Sequence, residues 1–166
     1  TGATGFLGAH ILDRLFHEES GKIYCLVRDI DGTTGRDRLR KILRYYFGEQ
    51  YEAEVAAEQD CVCRIIPITG DIESEILAEN MPKDVQTVIH AAASVKHYGS
   101  YDYFNRVNVD GTRHVINYAK TVGARAIHLS TLSVSGNSQA DEFAVYRSKK
   151  EKFFGETSFY IKQPLD

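Results

Sequence analysis

No apolar run among the 166 residues approaches the roughly 20 needed to cross a bilayer, so a membrane span is not expected. Basic charge is not in excess either. The formal net charge of −3 argues against a nucleic-acid footprint or a polybasic membrane patch. Cysteine is scarce and odd in number: Cys25, Cys61 and Cys63 have no metal-site spacing. Cys61-Val-Cys63 is too close for a Cys-x-x-Cys pair and reads as alternation along a strand. No secretory signal opens the chain, and with the cysteine usage this favours a reducing, cytoplasmic setting. No histidine–carboxylate spacing matches a metal motif, and no Gly-x-Ser-x-Gly elbow supports a serine hydrolase.

What remains is an ordinary globular balance, 43% hydrophobic and 26% charged, in a chain about one domain long. It opens on Thr1-Gly2-Ala3-Thr4-Gly5-Phe6-Leu7-Gly8 and runs straight into a helical pattern carried by Ile11, Leu12, Leu15 and Phe16. This suits a phosphate-binding turn at a helix N-terminus. Gly2 allows a tight turn, Gly5 lets backbone approach a pyrophosphate, and Gly8 permits close helix–sheet packing. Alone the triplet is a weak signal, because many glycine turns bind nothing.

The rest of the chain alternates. A helix is expected over 8–19, a buried strand over 22–27, and a helix with Leu39, Ile42, Leu43, Tyr46 and Phe47 on its apolar face. Further strands are expected over 62–68, with Pro67 marking an edge or an irregular end, over 85–91 and over 124–129. A helical region over 101–122 carries Val109, Val115, Ile116 and Ala119 inward. Such alternation predicts an α/β fold, a doubly wound, Rossmann-like parallel sheet with helices on both faces. Ligands of such sheets bind beyond the carboxyl ends of the strands. The Gly2 loop, Arg28, Gly70-Asp71, Ala91-Ala92-Ala93 and Ser130-Thr131 should therefore line one edge. Both ends read as cut: the phosphate loop has no strand before it, and Gln163 to Asp166 reads as loop. One partial domain over 1–166, truncated at both ends, is expected.

An arginine at the end of the second strand of a dinucleotide fold accommodates a 2′-phosphate, where an acid would bond the ribose hydroxyl. The apolar run stops at Val27, so Arg28 takes that position and NADPH is expected over NADH. The alternative is a surface arginine paired with Asp29. Arg38 is a second phosphate partner or a solvated helix position. Asp71 either accepts from an adenine amino group, with Ile72 against the ring, or caps the following turn. Ala91, Ala92 and Ala93 offer backbone to a ligand, or simply tight packing, or both. His90 and His128 fall in apolar strands and read as satisfied core histidines; with His97 and His114 they form no metal set. Thr131, just past a strand, could hydrogen-bond a substrate carbonyl.

Together the glycine loop, Val27-Arg28, Gly70-Asp71, His90-Ala91-Ala92-Ala93, Asn108-Val109-Asp110-Gly111-Thr112 and Leu129-Ser130-Thr131 resemble an extended short-chain dehydrogenase/reductase. The Gly-Phe-Leu-Gly loop, the helix-bearing insertion from Gly35 to Gly48 and the segment Phe159 to Asp166 resemble its thioester reductase branch. That branch comprises terminal reductase domains of nonribosomal peptide synthetases and carboxylic acid reductases, with fatty acyl-CoA reductases nearby. The resemblance implies NADPH-dependent release of an acyl or peptidyl thioester, held on the phosphopantetheine arm of a carrier protein, as aldehyde or alcohol. It also implies a Thr/Ser, Tyr, Lys catalytic set, the last two spaced Tyr-x-x-x-Lys. Thr131 matches the first. Tyr146 and Lys150 fit the spacing, but Gly155 follows where a long helix should run, so the pair reads as a coincidence and the true one is expected beyond Asp166. On that reading these residues alone bind NADPH weakly and do not turn over. Two rivals remain: a nucleotide-sugar epimerase or dehydratase of the same superfamily, against which Arg28 speaks, and a non-catalytic dinucleotide sensor.

Overall fold

The computed structural model describes residues 1–51, 54, 55, 63–96 and 98–130. In chain order these form helix α1 (Phe6–Glu18), strand β1 (Ile23–Val27), helix α2 (Gly35–Phe47) with a 3-10 turn (Gly48–Tyr51), and strand β2 (Ile65–Thr69). A short α3 (Leu77–Asn80) leads to β3 (Thr87–His90). A long helical run follows, made of α4 (Tyr101–Phe104), a π segment (Asn105–Asp110) and α5 (Gly111–Thr121), before β4 (Arg125–His128).

All pairing between strands is parallel. β1 pairs with β2 from Ile23 opposite Ile65 to Val27 opposite Thr69, and β3 pairs with β4 from Thr87 opposite Arg125 to His90 opposite His128. The main chain of Thr1 bridges to the second pair: its nitrogen donates to Ile89 O at 2.7 Å and its carbonyl accepts from Ala91 N at 3.3 Å. Bonds to the residues on either side of His90 are the pattern of a parallel neighbour. Ala3, two residues on, packs with Cys25 and Val27 of β1. Two parallel pairs, β1 with β2 and β3 with β4, are what a doubly wound sheet is built from.

Side chains alternate across β1, and two cores result. Cys25 and Val27 join Leu12 of α1, Leu39 and Leu43 of α2, Tyr51, Val55 and Ile65 on one face. Leu26 joins Ile72, Leu77, Val88, Val107, Val115, Tyr118 and Ala119 on the other. Burial pushes the Cys25 thiol up to about 11, so it is an inert core residue.

The elements end where local chemistry stops them. Thr34 caps α2 by accepting from Asp37 N at 3.1 Å, and Gly48 ends it at φ +76°. The end of α1 and the chain just past it are covered by Arg64, which donates to Phe16 O at 2.9 Å, to Gly21 O at 3.3 Å and to Glu19 O, with its guanidinium 4.7 Å from the Phe16 ring centre.

Three expectations shift. Helix α1 begins at Phe6, not Gly8, because the glycine turn itself supplies its first residues. The strand expected over 62–68 runs from Ile65 to Thr69; beyond it on the side away from β1, the described residues offer only an isolated bridge between Val55 and Ile65, which suits Pro67 on an edge. In the long helical run the buried seam is Val107, Gly111, Val115, Tyr118 and Ala119, while Val109 is 48% exposed and Ile116 only half-buried. The wider π turn favours a four-residue step, which a period of 3.6 does not anticipate.

Candidate functional site

The glycine loop is a tight cradle. Gly2 has φ +80°, and a Cβ there would lie 2.6 Å from Ala91 C. A Cβ on Gly8 would lie 2.0 Å from Gly2 O. Any side chain at either position collides with backbone, so the protein's own packing demands these two glycines. Gly5 differs: its Cβ would meet nothing closer than Gly2 O at 3.4 Å, and its φ is −90°. The protein's own packing therefore does not require glycine at this position. Thr4 is half-buried between them. Phe6 and Leu7 open α1 with exposed side chains, and the helix has neither an acid in its first turn nor a side-chain cap at Gly5. The first N–H groups of a 13-residue helix thus face the edge with their positive end uncancelled, a fit for a pyrophosphate.

Across the edge, Arg28 leaves β1 half-exposed. Its Nη1 donates to Asp71 Oδ2 at 3.3 Å and lies 3.9 Å from Glu73 Oε1. Arg38, from the first turn of α2, donates its Nη1 to Arg28 O at 2.6 Å. Arg28 does not pair with Asp29, the alternative the sequence left open. Asp29 Oδ1 accepts instead from Gly35 N at 2.6 Å and from Thr69 Oγ1 at 3.5 Å, tying the strand-to-helix loop to the end of β2. The Arg28 guanidinium is thus paired with the Asp71 carboxylate, while that of Arg38 holds the Arg28 main chain.

Asp71 also makes the local turn: its Oδ1 accepts from Glu73 N at 3.0 Å. Ile72 needs a correction. Its side chain is buried in the core, where Gly111 leaves room for it, and its carbonyl accepts from His114 Nδ1 at 2.8 Å. It backs the edge from inside and offers no open face to a ring.

At the end of β3, Ala91 and Ala92 lie directly against Gly2, so the packing reading of the alanine run holds there, while Ala93 is exposed. His90 is 2% exposed and bonded at both ring nitrogens, to Thr1 Oγ1 at 2.7 Å and Thr112 Oγ1 at 3.0 Å. Thr112 spends its hydroxyl proton on Asn108 O at 2.7 Å. The proton of His90 is therefore on Nε2, and Nδ1 accepts from Thr1. Burial, with the neighbouring His128, lowers its pKa to about 4. His128 stacks on it, ring centres 5.1 Å apart, but is exposed, not a core residue: β4 leaves most of its residues open.

Asn108 has a role that residue reading missed. From the π segment its Oδ1 accepts from Ser94 N at 2.7 Å and its Nδ2 donates to Ser94 O at 3.0 Å, fixing the chain just past Ala93. An asparagine inside a helical run was the available signal, since it is a poor helix former there. Thr131, Tyr146, Lys150 and His97 lie outside the described residues. Leu129, two residues before Thr131, is tied to His90 O at 2.9 Å. Among the described residues no three His, Cys, Asp or Glu side chains gather to hold a metal, and no helix is long and apolar enough to cross a membrane.

The profile of an NAD-binding family described as male sterility protein matches residues 1–163. The chain belongs to this male sterility family. Its relatives include a component of the linear gramicidin synthase of Brevibacillus parabrevis, 31% identical over 156 residues, covering 90% of this chain and 3% of that protein. Fatty acyl-CoA reductase 8 of Arabidopsis thaliana is 30% identical over 156 residues, covering 82% of this chain and 30% of that enzyme. Among solved structures, the thiolation-reductase di-domain of an archaeal non-ribosomal peptide synthetase is 39% identical at a TM-score of 0.70, covering 86% of this chain and 37% of that one. The Bordetella bronchiseptica enzyme WbmH, solved with NAD+, shares the fold at 19% identity and a TM-score of 0.54, covering 92% of this chain and 49% of that one. The male sterility domain spans under a third of both curated relatives and under half of both solved chains. Its cofactor class is a nicotinamide dinucleotide, and the loop fits one: Gly2 and Gly8 let the backbone pack tightly under a helix end without a counter-charge, with the Gly5 backbone open beside it.

Proposed function

We propose that this chain is the dinucleotide-binding part of an NADPH-dependent reductase that releases a carrier-bound acyl or peptidyl thioester as aldehyde or alcohol. The observation that carries the reading is the pair Arg28 and Arg38 at the end of β1, across the edge from a glycine cradle. The relation to a thiolation-reductase di-domain supports a phosphopantetheine-borne substrate and a carrier protein as partner.

When bound, the dinucleotide would supply the hydride that adds to the thioester carbonyl. Everything else falls to the chain. The first N–H groups of α1 hold the pyrophosphate, aided by Gly2, Thr4, Gly5, Phe6, Leu7 and Gly8. Arg28 and Arg38 hold the 2′-phosphate, a task for which planar, always-charged guanidinium groups are suited. Asp71 accepts from the adenine amino group. Ala91, Ala92 and Ala93 pass backbone close to the cofactor, and Asn108 fixes that strand end. Thr131 donates to the substrate carbonyl as negative charge develops on its oxygen.

The test uses the full-length polypeptide that carries this domain. Acyl thioesters on carrier protein and on coenzyme A are offered separately, and NADPH oxidation is followed with product analysis. Thioester-dependent oxidation that yields aldehyde or alcohol is expected, faster with the carrier-bound substrate. Faster turnover of the coenzyme A thioester overturns the carrier assignment, and no oxidation with either overturns the reaction.

A further inference from the structure

The charges beyond β1 form a chain. One nitrogen of Arg28 serves two carboxylates, Asp71 at 3.3 Å and Glu73 at 3.9 Å. The second oxygen of Glu73 accepts from Arg106 Nε at 3.3 Å, which ties the group to the π segment. Arg38 holds the Arg28 carbonyl, so the root of the side chain is fixed while its tip remains half-exposed. The carboxylate suited to an adenine amino group is thus already paired with the cation suited to a 2′-phosphate.

Two such interactions differ in strength. A solvent-exposed pair like Arg28–Asp71 is weakly held. A guanidinium on a phosphate dianion makes parallel charge-assisted bonds and is held more firmly. Exchange from Asp71 to phosphate therefore runs downhill, and only a dinucleotide bearing that phosphate can drive it.

We propose that Arg28 and Asp71 are an exchange pair that sets cofactor choice. A 2′-phosphate draws the Arg28 guanidinium off Asp71 and leaves Asp71 Oδ2 free for the adenine amino group. A dinucleotide with a bare 2′-hydroxyl must break the same pair without a replacement partner. Glu73, anchored by Arg106, is a positioning residue that keeps the guanidinium within reach during the exchange. The proposal rests on the NADPH reading above and adds to it a penalty against NADH.

The experiment titrates the intact enzyme with NADPH and with NADH, following the fluorescence of the bound reduced nicotinamide. Wild type and Arg28→Ala are compared, with thermal unfolding as a check on folding. Arg28→Ala is expected to weaken NADPH about tenfold and to tighten NADH about two- to fivefold. NADPH weakened by Arg28→Ala with NADH unchanged or weaker overturns the exchange and leaves the phosphate contact standing. Wild type without a preference for NADPH overturns the cofactor reading itself.

Discussion

Leu12, Leu39, Leu43, Val55 and Ile65 pack on one face of the sheet around Tyr51, whose hydroxyl donates to Asp13 Oδ1 at 2.5 Å near the surface. On the other face, Val88 of β3 packs under α5, but the next inward position of the strand is His90. A buried imidazole there, linked through Thr112 to Asn108 and through Asn108 to Ser94, replaces what could have been another aliphatic side chain. The first face is held by volume and the second partly by direction. Aliphatic packing stabilises but tolerates sliding, whereas a run of hydrogen bonds fixes where a strand end points. The directional face is the one whose strand end passes the glycine cradle.

The comparison can be broken most severely in the aliphatic core. Leu43 is fully buried, and Leu43→Ala should cost about 2–5 kcal/mol in denaturant unfolding. Val115→Ala, on the other face, removes less volume and should cost less. If the two losses are equal, the contrast between the faces fails.

The next effect is a pH dependence that belongs to one face. The unfolded chain protonates His90 near its ordinary 6.5, while the folded chain resists until about 4. Below 6.5 the unfolded state therefore binds more protons, and stability falls as pH drops from 6.5 to 4. Each tenfold difference in proton affinity between the two states is worth about 1.4 kcal/mol, so the loss across that window is on the order of 3 kcal/mol. It should appear in unfolding curves taken between those pH values and be largely absent from His90→Asn. An unchanged slope in the variant would assign the effect elsewhere.

The smallest expected change concerns the end of α1. Arg64→Ala removes hydrogen bonds to three carbonyls and the contact with Phe16, and should cost about 1–2 kcal/mol. Because α1 lies on the aliphatic face, its loss should leave the pH slope unchanged. Arg64→Lys should recover only part, since an ammonium cannot span the same set of carbonyls.

Much of this was readable in the order of residues. Gly2 and Gly8 signalled close backbone approaches, because no other residue tolerates them. Val27-Arg28 marked the end of a strand, because an apolar run stops at a charge. Alternating strand and helix patterns implied a parallel sheet, since short connections cannot join parallel strands otherwise. These are local or nearest-neighbour facts, and local chemistry decides them.

Other features were decided only by the packed chain. Whether Arg28 meets Asp29 or Asp71 depends on how β1 and β2 align, not on its neighbours in sequence. Ile72 follows a turn, yet it points inward because Gly111, nearly 40 residues away, leaves room for it. Val107 displaces Val109 from the core because the helix loosens to a π turn, and His128 stays exposed where His90 is buried because they sit on different strands under different cover. Composition and period say which residues prefer to be inside. Only tertiary contacts say which of several equal candidates are, because partners far apart in the chain compete for the same space and the same protons.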